Sequence, residues 1–194
     1  MKRRFIIVWL LGVAIFASGQ GDFATRLSNA TLLLIRQEVV YDPAYYSIDY
    51  PNGDVPEGLG VCSDVVIRAY RQLGIDLQKE VHEDMAAHFD LYPQLWGLSR
   101  PDPNIDHRRV LNLMKFFQRQ GTEKAITDDP ADYLPGDLVC WNLGGAVTHI
   151  GIVVNRQSID GKRYQIVHNI GAGQVLEDIL FDFLIIGHYI YREN

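Results

Sequence analysis

The chain has 194 residues, 47% in the hydrophobic set, 11% aromatic and 22% charged, the composition of an ordinary globular protein and not of a disordered or fibrous one. Its formal net charge is −6, and three of its 18 Lys and Arg (Lys2, Arg3 and Arg4) stand in the first four residues, leaving 15 basic against 24 acidic residues. So acidic a body lacks the clustered cations that phosphate neutralisation needs, which excludes nucleic-acid binding by general electrostatics, and two cysteines are too few for a disulfide scaffold, so the core must come from apolar burial.

Lys2 to Arg4 precede an apolar run from Phe5 to Phe16 and then the small residues Ala17, Ser18 and Gly19, the order of a secretory signal segment. The run of about 12 apolar residues is shorter than the roughly 20 that span a bilayer as a helix. The expectation is therefore a cleaved segment over 1–19 and one domain over 20–194. The product would be periplasmic or extracellular, with no stable membrane insertion after cleavage.

Phe23, Leu27, Ala30, Leu34 and Val39 recur at helical spacing and predict a helix over 22–40. Residues 41–61 carry Pro43, Pro51, Gly53, Pro56, Gly58 and Gly60 together with Tyr41, Tyr45, Tyr46 and Tyr50, a long aromatic loop of the kind compact domains keep for function. Val65, Val66, Ala69, Tyr70 and Leu73 predict a helix from Val61 that Gly74 ends. A further helix is expected over 79–91, and another capped by Asp106, with Val110, Leu113, Met114 and Phe117 as its stripe and Gly121 as its stop. The period then changes to two, predicting strands over 137–142, 148–154, 163–170, 173–177 and 187–192. Helices followed by an antiparallel sheet make an α+β domain.

Cys62 falls at a helix start, where unpaired N–H groups and the helix dipole favour a thiolate over the ordinary thiol of pKa about 8.5. His149 shares a strand face with Gly151, which leaves space beside the ring, and His168 lies in the following strand, where it could orient His149 as the third group of a nucleophilic triad. Asp64 reads as a first-turn carboxylate stabilising the helix start, with substrate contact as the lesser role. Asp106-His107-Arg108-Arg109 reads as a cap and solvated face, or as a grip on a substrate carboxylate through Arg108 and Arg109. His82, Glu83 and Asp84 read as a solvated helix face. His82, Asp84, His88 and His107 lack a recognised ligand spacing, so neither metal nor other cofactor is expected. Cys140, alternating with Leu138, reads as a buried apolar residue and not as a disulfide partner of Cys62.

Gly60-Val61-Cys62-Ser63-Asp64, Pro135-Gly136-Asp137-Leu138-Val139 and His149-Ile150-Gly151-Ile152-Val153, in this order with His168 after them, resemble the NlpC-type cysteine peptidases of the papain-like superfamily, which cleave bacterial cell-wall peptides. Nearly the whole mature chain is similar to a family of secreted bacterial proteins catalogued as a domain of unknown function within that superfamily. The matching stretches include Tyr50 to Pro56, Gly60 to Tyr70, Asn104 to Arg109 and His168 to Gly171. The resemblance implies a papain-like NlpC-type fold, with Cys62 as nucleophile, His149 as general base, His168 as orienting group and Tyr50 at the offset of an oxyanion-binding tyrosine. It implies hydrolysis of an amide in peptidoglycan stem peptides or muropeptide fragments through a thioester. A non-catalytic binding protein on the same shell, or an amidase or acyltransferase on another substrate, are the alternatives.

The register of the hairpin decides His168. A tight Asp160-Gly161 turn pairs residues whose numbers sum to 321 and sets His168 opposite Val153, four residues or about 13 Å from His149. Direct pairing of the two histidines needs a sum of 317, or a bulge that absorbs the shift, and this second arrangement is the expected one.

Overall fold

The computed structural model describes residues 12–192, with side chains from residue 23 onward. Residues 1–11 of the expected export segment, with its charges, fall outside the described residues, whereas residues 12–19 and the expected cleavage point lie within the first helix, Gly12–Leu34. No helix among the described residues is long and apolar enough to cross a membrane.

Among the described residues four α-helices precede a large antiparallel sheet. Helix α1 (Gly12–Leu34) buries Leu27, Ala30 and Leu34 at the expected spacing. It stops short of Val39 because the chain next enters β1 (Val40–Tyr41), which pairs in parallel with β2 (Leu59–Gly60). Helix α2 (Cys62–Arg71) buries Val65, Val66, Ala69 and Tyr70. Val61 at its N-cap has no side-chain acceptor, so the Asp64 carboxylate caps by accepting the Val61 N–H at 2.7 Å. Gly74, at φ +86°, lets the chain turn as the Ile75 N–H returns to the Tyr70 carbonyl, a left-handed step that glycine takes without steric cost.

Helix α3 (Leu77–Ala87) is capped by Asp76, which accepts the Gln78 N–H at 3.1 Å, and a 3-10 turn over Phe89–Leu91 follows it. Helix α4 (Val110–Gln120) ends at Gly121 as expected, but Asp106 does not cap it. Asp106 lies in a preceding 3-10 turn (Asp106–Arg108), and its carboxylate is occupied by the Asp102 N–H at 2.6 Å and by His82 Nδ1 at 3.2 Å.

The six-stranded sheet has the order β3-β8-β4-β5-β6-β7, built from β3 (Thr122–Glu123), β4 (Leu138–Asn142), β5 (Thr148–Gln157), β6 (Tyr164–His168), β7 (Val175–Glu177) and β8 (Leu184–Ile190). Alternation sorts its residues into two cores. Leu138, Cys140, Ile150, Ile152 and Val154 face the helices and pack with Val65, Val66 and Tyr70. Val139, Trp141, Val153 and Ile166 face away and are covered by Tyr133 and Leu180. Apolar cover on both faces explains why these strands read as nearly continuous hydrophobic runs.

The β5–β6 register is neither of the two simple sums. Near the turn Gln157 pairs with Tyr164, a sum of 321, but beyond a bulge Ile152 pairs with Val167 and Val153 with Ile166, a sum of 319. The bulge absorbs half of the shift, and the expected sum of 317 is not reached. In this register His168 stands opposite Gly151, diagonal to His149 on the same face. Diagonal neighbours across an antiparallel pair are about 7–8 Å apart at Cα, within reach of long side chains, so the imidazoles meet without the full shift.

Candidate active site

Three segments converge at the head of α2. Cys62 sits at its first turn, buried to 7% exposure. The Asn169 side chain at the end of β6 donates to the Gly60 carbonyl at 3.1 Å, and the Ser63 hydroxyl donates to the Arg108 carbonyl at 2.9 Å. These two bonds tie the cysteine segment to the sheet on one side and to the turn before α4 on the other. Cys62 and Cys140 are both free thiols and both buried, and Cys140 is a core residue as expected.

The histidines form a chain. His149 Nε2 and His168 Nδ1 are 3.1 Å apart with rings edge to face, and His168 Nε2 lies 2.9 Å from Glu177 Oε2. A carboxylate only accepts, so Glu177 requires the proton of neutral His168 on Nε2, making its Nδ1 an acceptor. His149 must then donate from Nε2, which leaves the lone pair of its free Nδ1 as the basic atom. Gly151 is what permits this arrangement: a Cβ there would stand 2.5 Å from Ile166 Cγ2 and 3.2 Å from His168 Cβ. The space that glycine leaves holds a neighbouring histidine, not a substrate.

Burial governs both reactive groups. It pushes the Cys62 thiol up to about 11, against the opposing amides of Ile150, Ser63 and Cys62 itself, while Asp64 raises it further. The helix start therefore does not hold a resting thiolate, as its position alone predicts; desolvation outweighs the helix-end amides. Burial also pushes His149 down to about 3, helped by His168. The resting pair is a neutral thiol and a neutral imidazole. No hydrogen bond joins Cys62 to His149 among the described residues: Cys62 meets β5 at the Ile150 amide, whereas His149 packs against Trp141, ring centroids 5.7 Å apart.

Of the remaining expected site residues, Asp64 and Arg108 are joined to each other. Arg108 donates to Asp64 from Nε and Nη2, both at 3.0 Å, and to the carbonyls of Ala44 and Asp42. Its donors are spent on holding the 42–44 loop to the head of α2, so it does not grip a substrate carboxylate. The solvated-face reading of 106–109 fails with it, since Asp106, His107 and Arg108 are all buried. Asp84 likewise is no solvated residue; it binds Arg119, Tyr92 and Gln120.

Tyr50 stands edge-on against His82, ring centroids 5.1 Å apart, and does not line the cavity at Cys62. The tyrosine at the thiol is Tyr41, placed there by the parallel β1–β2 pairing just ahead of Cys62; burial first, then Cys62, pushes its hydroxyl up. A cavity of about 600 Å³ opens over Cys62, lined also by Trp96, Arg109 and Thr148, within the range of small-ligand sites. No cluster of three or more metal-ligating side chains occurs among the described residues.

Sequence reading missed Glu177, Tyr41 and Trp96. Alternation would have put Glu177 on the His168 face of the next strand, given the β6–β7 register of His168 with Val175. Nothing local marks the other two.

A family model described as Domain of unknown function (DUF1287) matches residues 28–191. The Uncharacterized protein YijF of Escherichia coli (strain K12) is 52% identical over 172 residues, which cover 89% of this chain and 83% of that protein. No solved structure matches the chain.

Proposed function

This chain belongs to the DUF1287 family, and we propose that it is a secreted cysteine hydrolase of papain-like, NlpC-type architecture that cleaves an amide bond in peptidoglycan stem peptides or their muropeptide fragments. The observation that carries the reading is the Glu177–His168–His149 chain, which leaves His149 Nδ1 as a base on the strand whose other face meets Cys62 at Ile150.

His149 rests on the Trp141 face of β5, opposite the face that meets Cys62, so the proposed cycle begins with substrate binding bringing its ring to the sulfur; the Cys62 proton then moves to His149 Nδ1 as the sulfur adds to the amide carbonyl carbon. The oxyanion is held by the Cys62 backbone N–H, one of the unpaired donors of the α2 start, and by the Tyr41 hydroxyl. The C–N bond breaks, the leaving amine takes the proton from His149, and the acyl group remains as a thioester. Water then gives a proton to His149 as its oxygen attacks the thioester, and collapse returns that proton to the sulfur, releasing the acid. A neutral resting pair suits this sequence: catalytic hydrogen bonds often close only in the substrate complex.

The test compares wild type with Cys62→Ala on purified peptidoglycan and muropeptides, with products identified by mass. Loss of every product in the variant is expected; identical product patterns would end the nucleophile assignment. One observation favours a second reading, a binding protein without turnover: the raised Cys62 thiol and its missing bond to His149. Tight binding of muropeptide by wild type with no product formed would establish that reading instead.

A further inference from the structure

The cavity over Cys62 carries two arginines with opposite fates. Arg108 is consumed by Asp64 and two backbone carbonyls. Among the described residues Arg109 makes no ion pair and no side-chain hydrogen bond, its Nη1 is buried without a partner, and its guanidinium lies over the Trp96 ring at 4.2 Å from the centroid. Stacking on an aromatic face fixes the guanidinium plane and leaves its edge donors free. The neighbouring carboxylates do not hydrogen-bond to them: Asp102 is taken by Tyr45 and Asn104, and Asp106 binds His82 and the Asp102 amide through Oδ2, while its Oδ1 is buried without a partner, as Arg109 Nη1 is. An orphaned buried donor is costly unless something fills it.

We propose that Arg109, held flat on Trp96, is the receptor for a carboxylate of the substrate, so that the Cys62 site selects amides carrying a free acid group. One cation in a chain of net charge −6, with two carboxylates close by, matches a singly charged planar anion better than a phosphate dianion. The two-oxygen edge of a carboxylate also fits the guanidinium fork. Leu95 and Trp96 supply an apolar wall beside it, suited to the carbon skeleton of a peptide.

This inference deepens the hydrolase reading but is read out by binding alone. The full chain carrying Cys62→Ala is titrated calorimetrically with a stem tetrapeptide released from peptidoglycan, and with the same peptide after its carboxylates are converted to carboxamides. A charge-assisted bond of this kind predicts that the acid form binds at least about tenfold tighter. Adding Arg109→Gln should erase the preference, and Arg109→Lys should retain part of it. Equal binding of the two peptides, no binding of either, or a preference that survives Arg109→Gln overturns the proposal. Comparison of two ligands on one protein is independent of any folding defect at position 109. Discrimination without turnover by wild type would sink the hydrolase reading and leave the carboxylate receptor standing; turnover without discrimination would do the reverse.

Discussion

Replacing Arg108 by Met separates a structural from a substrate-binding role at the head of α2. The Arg108 and Asp64 side chains are 2% and 4% exposed and meet at 3.0 Å. Met fills much of the arginine volume but leaves a buried carboxylate with the Val61 amide alone and frees the Ala44 and Asp42 carbonyls. Breaking one side of a buried pair costs about 3–5 kcal/mol. For a chain of this size, at about 2–4 °C per kcal/mol, that lowers Tm by roughly 6–20 °C. Scanning calorimetry on wild type, Arg108→Met, Asp64→Asn and the double variant measures it, and the double variant should lose clearly less than the two single losses together. A Tm for Arg108→Met within about 2 °C of wild type, with binding of acidic peptides weakened, would refute this account and return Arg108 to the substrate.

Stability should also fall as pH drops. Folding holds His149 and His107 down at about 3 from an ordinary 6.5, burial being the main cause for each. Above 6.5 both states are neutral and nothing is lost; below it only the unfolded chain takes up protons, so each residue costs about 1.4 kcal/mol per pH unit. At pH 5 the two together remove about 4 kcal/mol, and a urea midpoint unchanged between pH 7.5 and 5 would contradict the burial argument. Glu177→Ala should lower kcat with KM little changed, by part of the roughly 10²–10⁴-fold that a positioned base supplies, because His168 then loses the partner that sets its tautomer; kinetics equal to wild type would remove Glu177 from the chain. Gly151→Ala should cost about 1–3 kcal/mol through overpacking against Ile166 and depress activity by separating His149 from His168, checked by urea unfolding and kinetics together.

The helices over 62–71 and 110–120 and all five expected strands were legible because their cores obey one period each, with glycine at 74 and 121 where the chain must turn. The two-residue strands β1, β2 and β3 were not, since pairing this short leaves no periodic trace. Asp106 shows where local rules fail: its type and position suit a cap, yet Asp102 and His82, four and 24 residues away in sequence, both claim its Oδ2. Tyr50 fails similarly, because distance along a loop says nothing about which tyrosine the loop brings back to Cys62.

By itself the sequence determined the order of helices and sheet and singled out Cys62, His149 and His168 as candidates, since these follow from spacing, alternation and motif. Tertiary structure decided what those residues are chemically. Burial, not the helix start, sets the Cys62 thiol at about 11; a bulge between β5 and β6, not a turn type, brings the histidines together; and the choice between Arg108 and Arg109 rests on which guanidinium another part of the chain has already filled. Desolvation, register and prior occupancy are sums over residues distant in sequence, and no local pattern contains them.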